Sequence, residues 1–246
     1  MGQKRILCPV LTGAIPYAAS YLADLGFEIV SVPDHDIKHL LLPVPFTPDH
    51  SLSVSSLSKQ ISPDILISGG NLDGFFDGFQ TVDYLKDPDY LAANAAITAG
   101  CAMAIAESRI GRSLAGYRVL IIGWGRIGKC LHRLFDQAGS HVTAAARKAT
   151  DRAMIRALGS RGISIEDAAL ESHRYDVILN TVPFLVLPDL QVKENAVILE
   201  LASSPGMSGA HISDARGLPG KMAPEASGKL IAETFIRLSL QKEESK

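Results

Sequence analysis

An apolar run, Val119-Leu120-Ile121-Ile122, leads directly into Gly123-Trp124-Gly125-Arg126-Ile127-Gly128, and apolar residues then recur at Leu131, Leu134 and Phe135. No other stretch restricts the fold so tightly. A buried strand that turns at once into a helix through glycines spaced G-x-G-x-x-G is the dinucleotide-binding turn of a Rossmann domain. In that reading Gly123 permits the tight turn and Gly125 lets the backbone approach a pyrophosphate. Gly128 lets the helix lie against the strand, with the phosphates at the helix N-terminus. Trp124, Arg126 and Ile127 complete the stretch expected to touch the cofactor. The alternative is a glycine turn that is purely structural.

Strand-like and helix-like segments alternate on both sides of this turn. KRILCPV, FEIVSV, HLLLPVP and DILISGG read as strands in the first part, with a helix over AIPYAASYLADLG that stops at Gly26. After Tyr117 the strands are YRVLIIG, HVTAAA, YDVILNTVP and AVILELASSPG, with helices over RIGKCLHRLFDQAG and DRAMIRALG. A last helix starts near Pro224, because proline suits a first turn, and QKEESK is a solvated tail. Such alternation implies parallel sheets. The fold class expected is α/β, with two doubly wound parallel-sheet domains, the C-terminal one a Rossmann NAD(P)-binding domain. The 246 residues are ample for both. The expected division is a flavodoxin-like α/β domain over 1–90, joined by the helix at 222–246, an interdomain helix over 91–115, and the dinucleotide-binding domain over 116–221.

An NAD-binding domain places an acid at the end of its second strand, about 20 residues past the glycines, to hold the ribose hydroxyls. Here HVTAAA ends on Ala146 and continues with Arg147, Lys148 and Thr150. Two cations at this place suit a 2′-phosphate, so the cofactor expected is NADP, with NAD as the alternative. A solvated basic turn is the competing reading. The strand ends Asn180-Thr181-Val182-Pro183 and Ala202-Ser203-Ser204-Pro205-Gly206 fall where open α/β sheets bind ligands, facing a nicotinamide, although Asn180 and Thr181 also suit a self-satisfied turn. His211 is a candidate for proton transfer, whereas His132 reads as packing or surface.

Several functions are disfavoured. The formal net charge is −2 and no basic run stands out, so no nucleic-acid partner is expected. Cys8, Cys101 and Cys130 lack metal-site spacing and read as reduced thiols in a cytoplasm. His35, Asp36, His39 and His50 match no ligand pattern in what reads as a proline-bounded loop, so no metal is assigned. The N-terminus does not read as a secretory signal, and Leu91 to Ala106 is shorter than the roughly 20 residues of a bilayer span, so no membrane partner is expected.

GWGRIGK, NTVP, ELASSPG and above all ARGLPGKMAPEASGKLIA, in this order, resemble the family of the dipicolinate synthase A subunit from about Asn94 to Leu240. The most specific piece is Gly217-Leu218-Pro219-Gly220-Lys221 followed by Ala223-Pro224 and Gly228. The resemblance implies an NADP-dependent oxidoreductase subunit that works with a flavoprotein-like second subunit. Together they would oxidise a dihydro- or hydroxytetrahydro-dipicolinate to dipicolinate during sporulation. It implies a small dicarboxylate substrate, and a homo-oligomer is expected. The substrate-site assignments are Lys221 for a carboxylate, beside the N-terminus of the last helix, with Arg216 a weaker choice. Thr98, at the start of the linking helix, and Ser203 or Ser204 would orient the ring. An exposed lysine beside a turn is the plain reading of Lys221. NAAITAGC departs from a family pattern close to NxxPTxEG, with Gly100 where the glutamate stands. The competing functions are a dehydrogenase of another small carboxylate and a non-catalytic dinucleotide-binding subunit.

Overall fold

Eleven short strands form two separate all-parallel sheets in a computed structural model that describes residues 4–34, 37–48, 54–188 and 190–240. The chain divides into one unit of Met1–Asn94 with Pro219–Lys246 and a second of Ala95–Leu218.

The first unit contains β1 (Arg5–Leu7), α1 (Ile15–Asp24), β2 (Glu28–Val30), β3 (His39–Leu41), α2 (Val54–Gln60), β4 (Leu66–Gly69) and β5 (Gln80–Asp83). Its sheet order is β2-β1-β3-β4-β5. Successive strand residues face opposite ways. Ile6, Cys8 and Leu41 therefore join a core with Ile15, Ala18 and Leu22 of α1. Leu7, Leu40 and Leu42 join another with Leu57, Phe46 and Phe76. Burial pushes the Cys8 thiol up to about 12, which leaves it protonated and unreactive.

The helix expected at Pro224 is α8 (Pro224–Phe235), continued by a π-helical turn over Ile236–Leu240. It belongs to the first unit because Ile231, Ala232 and Phe235 fill the α1 side of that core. Gly228 makes this packing possible: a Cβ there would stand 2.5 Å from Tyr17 Cβ and 2.7 Å from Ala14 O. A buried bond of 2.8 Å joins the Ser68 and Ser239 hydroxyls, and Arg237 pairs with Asp87.

The second unit runs through β6 (Arg118–Ile122), α4 (Arg126–Gln137), β7 (His141–Ala145), α5 (Ala149–Ala157), β8 (Arg161–Ile163), α6 (Ile165–Glu171), β9 (Val177–Asn180), β10 (Val197–Glu200) and β11 (Ile212–Asp214). Its order is β11-β10-β9-β6-β7-β8, which is the Rossmann order read from the other edge. The central strands are buried on both faces and so read as unbroken apolar runs. The α/β class with two parallel sheets is thereby established.

Some expectations need correction. The linking helix, α3 (Pro88–Ile110), has 23 residues, longer than the stretch read as too short to span a bilayer. It has the length and composition of a membrane span, but a third of that stretch is buried within the protein. Its packing is one-sided: Ala95, Thr98, Ala99, Ala102 and Ala106 are buried at helical spacing while Ala92, Ala96 and Gly100 are exposed. Leu218 to Lys221 of GLPGK, where Lys221 reads plainly as a residue beside a turn, lie in the short helix α7 (Leu218–Met222), with Pro219 in its first turn where proline is tolerated. His39 is a buried strand residue edge-on to Phe235, not part of a proline-bounded loop. His35, Asp36 and His50, and the tail Gln241–Lys246, lie outside the described residues.

Candidate functional site

The connections out of β6 and β9 leave in opposite directions, which opens a crevice at their carboxyl ends. A cavity of ≈ 280 Å³ lies there, lined by Gly123, Trp124 and Gly125 of the glycine turn and by the ends of β7 and β9.

The three glycines differ in what constrains them. Gly123 has φ +102°, and a Cβ on it would stand 2.3 Å from Thr181 Oγ1. At Gly128 a Cβ would stand 2.2 Å from Gly123 O, so this glycine sets the closeness of helix to turn. Gly125 has ordinary dihedrals, φ −80° and ψ −166°, and nothing lies within 4 Å of a Cβ built on it. Internal packing therefore explains the first and third glycines but not the second, and open space beside an uncapped helix N-terminus is what a bound diphosphate requires. Arg126 is exposed as the first residue of α4, and Ile127 is half-buried. Trp124 packs edge-on against His132, their ring centres 5.1 Å apart.

At the end of β7, Ala146 is buried and Arg147 and Lys148 line the cavity. The Arg147 guanidinium lies over the Phe184 ring at 5.1 Å. Arg152, one turn on, fixes this strand end by donating to Ala146 O at 2.8 Å and Arg147 O at 2.6 Å. Lys148 is the N-cap of α5 and provides no side-chain cap, so the first-turn N–H groups of α5 add to the positive potential. Asp151 lines the same cavity and opposes it.

The β9 and β10 ends are locked together by Glu200, a buried carboxylate. Its Oε1 accepts from Asn180 Nδ2 at 2.8 Å and Ala202 N at 3.2 Å; its Oε2 accepts from Gly206 N at 2.8 Å and Met207 N at 3.2 Å. Asn180, also buried, closes its own turn through Val182 N and O, each at 3.0 Å. Its amide therefore shapes the loop instead of facing the cavity. Thr181 Oγ1 donates to Ile122 O at 2.8 Å across the β6/β9 crevice, and Thr181, Val182 and Pro183 line the wall.

The residues assigned to the substrate are more dispersed. Among the described residues the cavity wall includes neither Ser203 nor Thr98. Ser203 and Ser204 are exposed on the loop after β10. Thr98 is buried in the middle of α3, not at its start. Arg216 is tied to Asp214 at 2.6 Å. Lys221 is exposed on α7, in the first unit. His211 is exposed with φ +65°.

Glu200, Arg152, Asp151 and Phe184 escaped the sequence reading. Only Glu200 carries a signal, an acid inside the apolar run AVILELA, where a charge stays buried only if satisfied.

Fold and cavity together define a Rossmann-type NAD-binding domain. Residues 91–185 match the family model described as "D-isomer specific 2-hydroxyacid dehydrogenase, NAD binding domain". The resemblance to the A subunit of dipicolinate synthase is borne out: the chain is 28% identical over 147 residues to that protein from Bacillus subtilis (strain 168). The match takes in 54% of this chain and 50% of the relative, about half the length of each. The crystal structure of the dipicolinate synthase A subunit from Bacillus halodurans superposes with a TM-score of 0.83 at 20% identity, covering 96% of this chain and 99% of that one. A transhydrogenase from Sinorhizobium meliloti superposes at 0.69 with 13% identity, covering 89% and 78%.

Proposed function

We propose that the chain is an NADP-dependent oxidoreductase subunit that oxidises a dihydro- or hydroxytetrahydro-dipicolinate to dipicolinate. The observation that carries the reading is the glycine cradle opening onto the cationic turn Arg147-Lys148. Two cations and the start of α5 outweigh the one carboxylate, Asp151, which favours NADP over NAD. When bound, the oxidised nicotinamide supplies the hydride acceptor. The backbone of Gly123 to Gly128 would hold the pyrophosphate, and Arg147 and Lys148 the 2′-phosphate. Thr181 to Pro183 would bound the nicotinamide end.

Oxidation of a dihydropyridine ring releases a proton besides the hydride and leaves two carboxylates to be neutralised. Lys221 is assigned to one carboxylate and Ser203 to ring orientation. The hydroxyl of Thr98, buried inside α3, is not carried forward in that role. The relative is by name one subunit of a synthase, and a flavoprotein-like second subunit is the expected partner here.

The test is to mix the purified chain, alone and with a candidate second subunit, with freshly generated dihydrodipicolinate and either NADP or NAD. NADPH formation matched by dipicolinate is expected. Dipicolinate formed without cofactor reduction, or tighter binding of NAD than NADP, overturns the reading. Lys221→Met should cost about 2 kcal/mol in kcat/KM while the NADP dissociation constant stays constant, as expected when one charged donor is lost.

A second reading, a dehydrogenase of another small carboxylate, is favoured by Gly100. It is exposed on α3 with nothing within 4 Å of a Cβ, so its surroundings do not demand glycine. Gly100→Glu restores the family's carboxylate. A gain of dipicolinate formation only in this variant decides for the second reading.

A further inference from the structure

Two segments face each other across the cavity of the second unit, the turn after β7 and the chain after β9, and a contact between a cation and a ring joins them. The Arg147 guanidinium carbon lies 5.1 Å from the centre of the Phe184 ring, and both residues line the cavity. Both backbones are held. On one side Arg152 donates to Ala146 O at 2.8 Å and to Arg147 O at 2.6 Å. On the other, Val186 N and Leu187 N donate to Gly206 O at 2.9 and 3.2 Å, and Gly206 N donates to the Glu200 carboxylate at 2.8 Å. A Cβ on Gly206 would stand 2.3 Å from Val182 O and 3.0 Å from Phe184 O, so the segment that carries Phe184 lies directly on this glycine.

Two observations give the ring a task beyond packing. Val182 and Val186 pack against the core of the sheet, but Phe184 between them is 45% exposed, so burial accounts for little of its ring. Among the described residues no carboxylate pairs with Arg147. A surface arginine without a fixed partner samples many rotamers, and a ligand that needs one of them must meet the cost of ordering it. An aromatic face lowers that cost by attracting the guanidinium. Unlike a carboxylate, it neither cancels the positive charge nor takes up the N–H donors that a phosphate needs. Asp151, in the same wall, is the carboxylate that would do both if Arg147 turned to it.

We propose that Phe184 is a positioning residue for cofactor selectivity: its ring stations the Arg147 guanidinium at the β7 end of the cavity, ready for a 2′-phosphate. This role rests on the NADP reading above and concerns the same cavity.

Calorimetric titrations of the full chain with NADP and with NAD test it, on the unaltered protein, Phe184→Leu, Phe184→Tyr, Arg147→Ala and the double variant Phe184→Leu with Arg147→Ala. Leucine keeps apolar bulk but has no ring face. Phe184→Leu should lower the ratio of NADP to NAD affinity about two- to fivefold, the range of an exposed contact between a cation and a ring. Phe184→Tyr should keep the ratio. With Arg147→Ala already present, Phe184→Leu should leave the ratio unchanged, because the coupling partner is gone. A ring that only shapes the loop would weaken both cofactors alike, with or without Arg147. An unchanged ratio in Phe184→Leu, an equal fall in the absence of Arg147, or a fall in Phe184→Tyr as large as in Phe184→Leu overturns the proposal. If Arg147→Ala lowers NADP binding selectively while Phe184→Leu does not, the role of the ring fails alone and the NADP reading stands. If Arg147→Ala leaves the ratio unchanged, the NADP reading fails and the role of Phe184 with it.

Discussion

Both units place a cavity where neighbouring strand connections diverge, between β1 and β3 in one and between β6 and β9 in the other, yet the walls differ in kind. Around the β6/β9 crevice the backbone is forced close at Gly123 and Gly128, the loops are cross-braced by Glu200 and Arg152, and two cations reach in. Around β1 and β3 no lysine or arginine lines the cavity among the described residues, and prolines and aliphatic carbon share the wall with Thr12, Thr47, Tyr90, Asn94 and Ser227. A diphosphate cofactor needs fixed donors and positive charge, and only the β6/β9 cavity has cations in its wall among the described residues. The two sheets differ in strand order, and the loops at their strand ends set the character of each cavity.

The comparison breaks most visibly at Glu200. Glu200→Ala leaves the N–H groups of Ala202, Gly206 and Met207 and the Asn180 amide without their buried acceptor. Each stranded buried donor costs about 1–3 kcal/mol, so a loss of about 3–5 kcal/mol after partial rehydration is expected. Denaturant unfolding followed by hydrogen exchange should show the loss in β9 and β10 and little change in β1 to β4. Equal destabilisation of both sheets would show that Glu200 is no local brace.

Gly125→Val tests whether the open space beside the second glycine belongs to a cofactor. Because nothing crowds a Cβ there, Tm should hold within a degree or two while NADP affinity falls at least 100-fold, about 3 kcal/mol. Calorimetric titration that finds affinity unchanged would make the motif structural only. Arg147→Ala should cost about 1.5–3 kcal/mol in NADP binding and much less in NAD binding, because a charge-assisted phosphate contact is lost. Equal losses for both cofactors would assign Arg147 to something other than the 2′-phosphate.

The smallest effect is a pH dependence. His132 is buried beside Trp124 with its Nε2 2.8 Å from Ser160 Oγ, and burial lowers its pKa from the ordinary 6.5, against an opposing pull from Asp136. The unfolded chain then binds the proton more readily than the folded one. Stability of the second unit is therefore full above pH 6.5 and falls as the pH drops below it, by a fraction of a kcal/mol at first. His132→Gln should flatten that part of the Tm profile, and an unchanged profile would place the titration elsewhere.

How much was legible depended on the period of the signal. The long strands and helices of the second unit announced themselves because central parallel strands are apolar throughout and α4 has strong helical spacing. The elements missed, α2, β5, β8, α6, β11 and α7, have seven residues or fewer. In β5 only Val82 is buried, so the strand leaves no pattern. The capping box of Ser164 and Asp167 opens α6 and was readable in principle. In the site, Gly123 to Gly128 and the turn at Arg147 could be found because each acts through local sequence. Asn180 could not be divided between loop and ligand, since its partner Glu200 lies 20 residues away.

By itself the sequence determined the alternation of strand and helix, the glycine turn and the cationic residues after β7. These are short-range properties, set by backbone freedom, side-chain period and charge. Tertiary structure alone decided that Glu200 braces two loops and that Ser227 and the start of α1 line one cavity. Contacts between residues tens to hundreds of positions apart follow from which apolar faces bury each other best, and no local pattern encodes that choice.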